Sequence, residues 1–224
     1  MTPLLPNPQS YNLTHSVKQC SHIESILVEA AGSSFRVADR KNQIIEAAIR
    51  TFVRFGPRKT SMVDIATEAG VSRQTLYDLF DGKDELVERA VLHVTERNLA
   101  DVRDALPDCT DLSERLDAYF HGTIVRSFEL LEGAGDAEEL LSGHGEAGRQ
   151  AVAESHRRHE ALVATILEDR EAGIARNGLT VAEAAHFTVT TVMGLKHGAT
   201  SREDLGRLLE SLKAALLLLS GDGA

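Results

Sequence analysis

Apolar residues recur at helical spacing along most of this chain. Ile44, Ile45, Ala48, Ile49 and Phe52 form one stripe, which stops at Gly56-Pro57, a helix-ending pair. Val181, Ala184, Ala185, Thr188, Val192 and Leu195 form a second, and Leu205, Leu208, Leu209, Leu212, Leu216 and Leu219 a third. Sustained apolar/polar alternation, the strand signal, is missing. The pattern predicts an all-α protein. Ser21-His22-Ile23-Glu24 matches a capping box and predicts a short helix over 22–31, after a loose arm holding Pro3, Pro6 and Pro8. Further breaks fall at Pro107–Asp111 and at the glycines 133, 135, 143, 145 and 148.

Composition narrows the class. A chain of 224 residues with 42% hydrophobic and 26% charged residues has enough apolar surface for a core. The longest apolar run, Ala214–Leu219, is far too short to cross a bilayer. The start lacks the basic and apolar regions of a secretion signal, which predicts a cytoplasmic protein with no membrane partner. Two cysteines, Cys20 and Cys109, provide neither a disulfide framework nor metal-site spacing. The net charge of −10 is unevenly spread. Residues 40–83 hold eight basic and five acidic side chains, whereas residues 84–224 hold 14 basic and 26 acidic ones. A mildly basic block thus precedes a strongly acidic one, which points to a head that meets polyanions.

That basic block contains Met62–Phe80, whose pattern fits a helix-turn-helix. Ala66 is small where two helices cross, Gly70 suits a tight turn, and Ile65, Ala69, Val71, Leu76 and Leu79 face a shared core. Ser72 is a good N-cap, which leaves Arg73, Gln74 and Thr75 exposed on the first turn of the second helix. Arginine and glutamine bond base edges bidentately, and threonine adds a hydroxyl or a methyl contact. Arg58, Lys59, Thr60 and Ser61 precede the first helix, and Tyr77 and Lys83 follow the reading turn, all placed to hold backbone phosphate.

Residues 40–90 resemble the DNA-binding domain of TetR-type bacterial regulators. The resemblance rests on Phe55-Gly56, Thr60-Ser61, Ile65-Ala66, Gly70-Val71-Ser72, Thr75-Leu76-Tyr77, Phe80 and Lys83-Asp84-Glu85-Leu86. It implies an N-terminal three-helix DNA-binding domain, residues 39–84, after an extension over 1–38. A larger helical effector-binding and dimerisation domain over 85–224 would follow. Two departures are Gln74, where the family often has glycine, and the long N-terminal extension.

The resemblance also implies a helix near 83–106 linking head to body, with others near 112–131, 137–142, 146–176, 180–198 and 202–219. The last two would build a dimerising four-helix bundle. A homodimer would bind a palindromic double-stranded DNA operator as a repressor and be released by a small, mainly apolar effector. The predicted pocket lining is Tyr119, Phe120, His121, Phe128, Phe187, Thr190 and Met193, with His186 as a further polar group.

Other chemistry is weakly supported. Gly143–Gly148 matches G-x-G-x-x-G, but a helix-like stretch, Ala137–Leu141, precedes it where a dinucleotide site needs a strand. His156, His159 and Glu160 share a helical face, so a helical metal-dependent enzyme is the alternative from another class. An activator or an effector-independent regulator of the same fold is the milder one. Neither a cofactor nor a catalytic triad is predicted.

Overall fold

The computed structural model describes residues 37–131 and 145–221, and every regular element among them is helical. The chain divides into two units, residues 1–43 and 44–224. In the first, residues 37–43 are helical. The helices expected over 22–31 and 137–142, and the start of the glycine motif at 143, lie outside the described residues.

In the second unit, helix α1 continues through residues 44–59 and turns at Gly56, whose φ of 77° is in the left-handed region. Helix α2 (Met62–Ala69) and helix α3 (Arg73–Leu79) make the helix-turn-helix. Gly70, at φ 66°, closes α2: its N–H bonds Thr67 O at 3.1 Å while Val71 N–H reaches Ala66 O at 3.0 Å. A side chain at that φ would be strained, which is why glycine stands there. Ile44, Ala48, Phe52, Ile65, Leu76, Leu86 and Ala90 are among the residues of the core that α1 to α3 share with the next helix.

Helix α4 (Lys83–Ala105) runs past that core into a second one. Leu86, Val87 and Ala90 belong to the first core, and Leu99 and Val102 to the second. A short 3-10 turn (Leu106–Asp108) leads to α5 (Leu112–Phe120), a π-helical turn (His121–Val125) and α6 (Arg126–Leu131). The expected helix over 112–131 is therefore helical throughout, with one irregular turn that periodicity does not signal.

Helix α7 (Gly145–Leu167) lies against α4 and continues through a 3-10 turn (Glu168–Arg170) into α8 (Glu171–Arg176). Helices α9 (Val181–Gly198) and α10 (Arg202–Ser220) complete the second unit. Both begin at hydroxyl N-caps, Thr180 and Ser201. Ala184, Ala185, Thr188 and Val192 of the second stripe are buried, as are Leu205, Leu209, Leu212 and Leu216 of the third. Helix α8 passes close to the end of α10: a Cβ added at Gly173 would lie 1.9 Å from Ser220 O. Asn177 Nδ2–H donates to Leu219 O at 3.0 Å beside it.

Candidate functional site

Local bonds set the entrance of the helix-turn-helix. Ser61 caps α2 by accepting Asp64 N–H at 3.3 Å, and the Asp64 carboxylate accepts Ser61 N–H at 2.9 Å and its hydroxyl at 2.6 Å. The Ser61 hydroxyl and amide hold the Asp64 carboxyl below its usual range. A carboxylate thus occupies the end of α2 where the sequence suggests phosphate.

Two of the side chains expected at phosphate are bonded within the chain itself. Thr60 is buried, and its hydroxyl donates to Gly56 O at 2.8 Å. Lys83 is partly buried, with Nζ donating to Pro57 O at 2.9 Å and to Thr60 O at 3.3 Å. Thr60 ties the turn back to α1, and Lys83 latches it to the start of α4. Arg58, Lys59 and Ser61, by contrast, are exposed.

Helix α3 presents a different surface. Ser72 Oγ accepts Thr75 N–H at 3.0 Å and lies 2.9 Å from Thr75 Oγ1, so the Thr75 hydroxyl is turned back towards the cap. Leu76 is the buried anchor of the helix. Arg73, Gln74 and Tyr77 point outward on one helical face, with Tyr77 49% exposed. Gln74 Nε2–H donates to Asp78 Oδ1 at 3.1 Å, a bond to the next turn that restricts the amide.

A second site lies along α4. A cavity of about 170 Å³ is lined by residues of five elements: Ala90, Val91, Val94, Thr95 and Asn98 of α4, Thr123 and Ile124 of the π turn, Ser127 of α6, Val152, Ser155, His156 and His159 of α7, and Met193, Lys196 and His197 of α9. Thr95 Oγ1 lies 2.8 Å from Ser155 Oγ, and Asn98 Nδ2–H donates to Ser127 Oγ at 3.4 Å. Tyr119 Oη lies 3.0 Å from His159 Nδ1 behind the wall. Burial pushes the Lys196 ammonium down to about 8 and the His159 imidazole down to about 4.

Of the pocket residues expected from the sequence, only Met193 lines this cavity. Tyr119 and Phe120 are buried in the body core and Phe128 packs against it, while His121 is exposed. Phe187 and Thr190 line a shallow outer groove of α9 with Ala182 and His186. The reason is rotational: Phe187 and Thr190 flank the buried Thr188 and Val189 and so face away from the core. The residues missed were the small polar ones, Thr95, Asn98, Ser127 and Ser155, together with Lys196. Their signal was a polar group at core-facing helical spacing.

The His156/His159/Glu160 face does not converge. His159 bonds Tyr119, Glu160 Oε1 meets His186 Nδ1 at 2.8 Å, and His156 faces the cavity. Among the described residues, no group of three His, Cys, Asp or Glu is placed to hold a metal. No described helix is long and apolar enough to cross a membrane.

A helix-turn-helix head with its reading face exposed, joined by one long helix to a helical body with a cavity, defines the class. Residues 44–90 match the family described as bacterial regulatory proteins, tetR family. The chain is 31% identical over 152 residues to the nicotine-responsive transcriptional repressor HdnoR of Paenarthrobacter nicotinovorans, covering 67% of this chain and 73% of that protein. It is 44% identical over 64 residues to the transcriptional regulator TtgR of Pseudomonas putida, covering 28% of this chain but only 30% of TtgR, less than a third of its length. The fatty acid degradation regulator FadR from Bacillus halodurans shares the fold at a TM-score of 0.62 and 22% identity, over 81% of this chain and 95% of that one. The chain belongs to the TetR family of bacterial regulatory proteins.

Proposed function

We propose that this chain is a ligand-responsive transcriptional repressor that binds a palindromic operator as a homodimer in the cytoplasm. One observation carries the reading: Arg73, Gln74 and Tyr77 stand exposed on one face of a seven-residue helix whose buried side is fixed in the head core. Arg73 and Gln74 would read base edges, and Thr75, its hydroxyl turned to the cap, would offer its methyl group. Arg58, Lys59, Ser61, Ser72 and Tyr77 would hold phosphate. Thr60 and Lys83 would act indirectly, by holding the turn that carries Arg58 and Lys59.

The head would span residues 39–84 and the body 85–224, after an extension over 1–38. Dimerisation through α9 and α10 is supported by their exposed large apolar side chains, Phe187 at 51% and Leu218 at 64%. An operator with two half-sites needs two heads about one DNA turn apart. Helix α4 contributes to both cores and, between them, to the cavity wall, so a ligand there is placed to change the set of the heads. Such a ligand releases DNA only by its differential affinity for the non-binding arrangement. The nicotine response named for HdnoR supports a small-molecule trigger.

The test is selection of genomic DNA fragments by purified full-length protein at near-physiological salt, followed by sequencing. An enriched palindrome is the expected result. Binding with no preference over random DNA would overturn the reading.

A further inference from the structure

We propose that the cavity along α4 receives a small carboxylate, with the Lys196 ammonium as its charge anchor and an apolar remainder among Val91, Val94, Ile124, Val152 and Met193. The inference rests on the ligand-responsive reading for its consequence at DNA, but not for the binding itself. It replaces a mainly apolar effector with an anionic one.

The charge balance of the wall points this way. Four lining residues carry basic groups, His156, His159, Lys196 and His197, and none of the lining residues is acidic. Lys196 has no hydrogen-bond or ion-pair partner among the described residues. Glu160, the carboxylate one turn beyond His156, is engaged by His186 at 2.8 Å. His159 is kept neutral near pH 7 by burial, and burial also lowers His156, so Lys196 is the main positive charge of the wall. A desolvated ammonium without a counter-charge is costly, and an entering anion relieves that cost.

The remaining lining selects within anions. Asn98 keeps a second amide N–H and Ser155 a hydroxyl beside Thr95 Oγ1 for carboxylate oxygens, whereas the Thr95 and Ser127 hydroxyls donate to Val91 O and Thr123 O. The wall has no arginine, the residue whose fork suits a phosphate or a dicarboxylate. A volume of about 170 Å³ is below the roughly 300–1,000 Å³ of pockets for drug-sized ligands. A short-chain or single-ring monocarboxylate fits these limits. Thr123 and Ile124 reach the wall from the π turn, and such turns recur at functional sites.

The experiment titrates the full chain with benzoate and the straight-chain acids from butyrate to octanoate, each beside its uncharged amide. Melting temperature and calorimetry are read. At least one acid should raise the melting temperature by several degrees while its amide does not. Lys196→Met should weaken that acid by roughly tenfold to a hundredfold. Equal effects of acid and amide, an acid bound equally by Lys196→Met, or no response to any acid of the panel would each overturn the assignment. An acid that binds through Lys196 yet leaves operator affinity unchanged supports the ligand class and defeats the effector reading instead. An enriched operator with no acid bound does the reverse.

Discussion

The Tyr119 hydroxyl lies 3.0 Å from Nδ1 of His159, joining α5 to α7 in a buried hydrogen bond. Burial raises the Tyr119 phenol and, with help from His156 and Lys196, lowers the His159 imidazole from 6.5 to about 4. In the unfolded chain His159 takes up its proton near 6.5, whereas the folded site refuses it until about 4. Stability contributed by this site is therefore present above pH 6.5 and is lost as pH falls towards 4, on the order of 3 kcal/mol over the whole window. His156, also lowered by burial, acts in the same direction. Urea unfolding of the wild type and His159→Gln between pH 7 and 4 checks this, the variant losing less stability with acid. Parallel pH profiles for the two proteins would refute it.

The head separates readers from latches. Gln74→Ala should weaken operator binding by roughly 1–3 kcal/mol and leave random DNA unaffected. Lys59→Ala should weaken both alike and lower the salt slope by about 0.9. Lys83→Met should leave the salt slope unchanged and reduce thermal stability instead, since its two carbonyl acceptors lose a charged donor. Fluorescence anisotropy across a salt series, beside thermal melts, distinguishes the three. A salt slope reduced in Lys83→Met would return that lysine to the phosphate contacts.

The head was far more legible in the sequence than the cavity, for a physical reason. Ser72, Gly70 and Leu76 act over three to six residues, through a cap, a left-handed turn and one buried contact, and each carries its residue type openly. The cavity depends on packing among α4, α7, α9 and the π turn, and its polar groups are ordinary threonine, serine and asparagine. Aromatic side chains do not mark this cavity. Tyr119 and Phe120 fill the core, because bulk predicts burial more readily than it predicts a void, and Phe187 stands outside it because its face of α9 points away from the core. Thr60 and Lys83 are of types that suit phosphate, and only the tertiary structure reveals the carbonyls that hold them.

Phe187 lies on the outer face of α9, half-exposed beside Ala182 and Thr190. A charge there faces water in a monomer but is buried in a dimer formed through α9 and α10. Phe187→Glu should therefore leave the monomer fold intact and shift the protein to monomers in sedimentation velocity, with a matching loss of operator affinity. A dimer unchanged by this variant would place the two-fold interface elsewhere.

Lys196 gives the last prediction its sign. Its ordinary value of 10.5 applies in the unfolded chain, and burial lowers it to about 8 in the fold. Between these values the unfolded chain binds more protons than the folded one, so wild-type stability rises with pH across that window. Below pH 8 the full penalty of the buried ammonium remains, on the order of 3 kcal/mol. Lys196→Met removes the charge and keeps an unbranched apolar side chain of similar length, so the unliganded variant should melt higher than the wild type at pH 7. The gap should narrow as pH rises from 8 to 10. A variant that melts lower at pH 7 would mean that an acid already neutralises this lysine in the folded protein, and the case for an incoming carboxylate would fall with it.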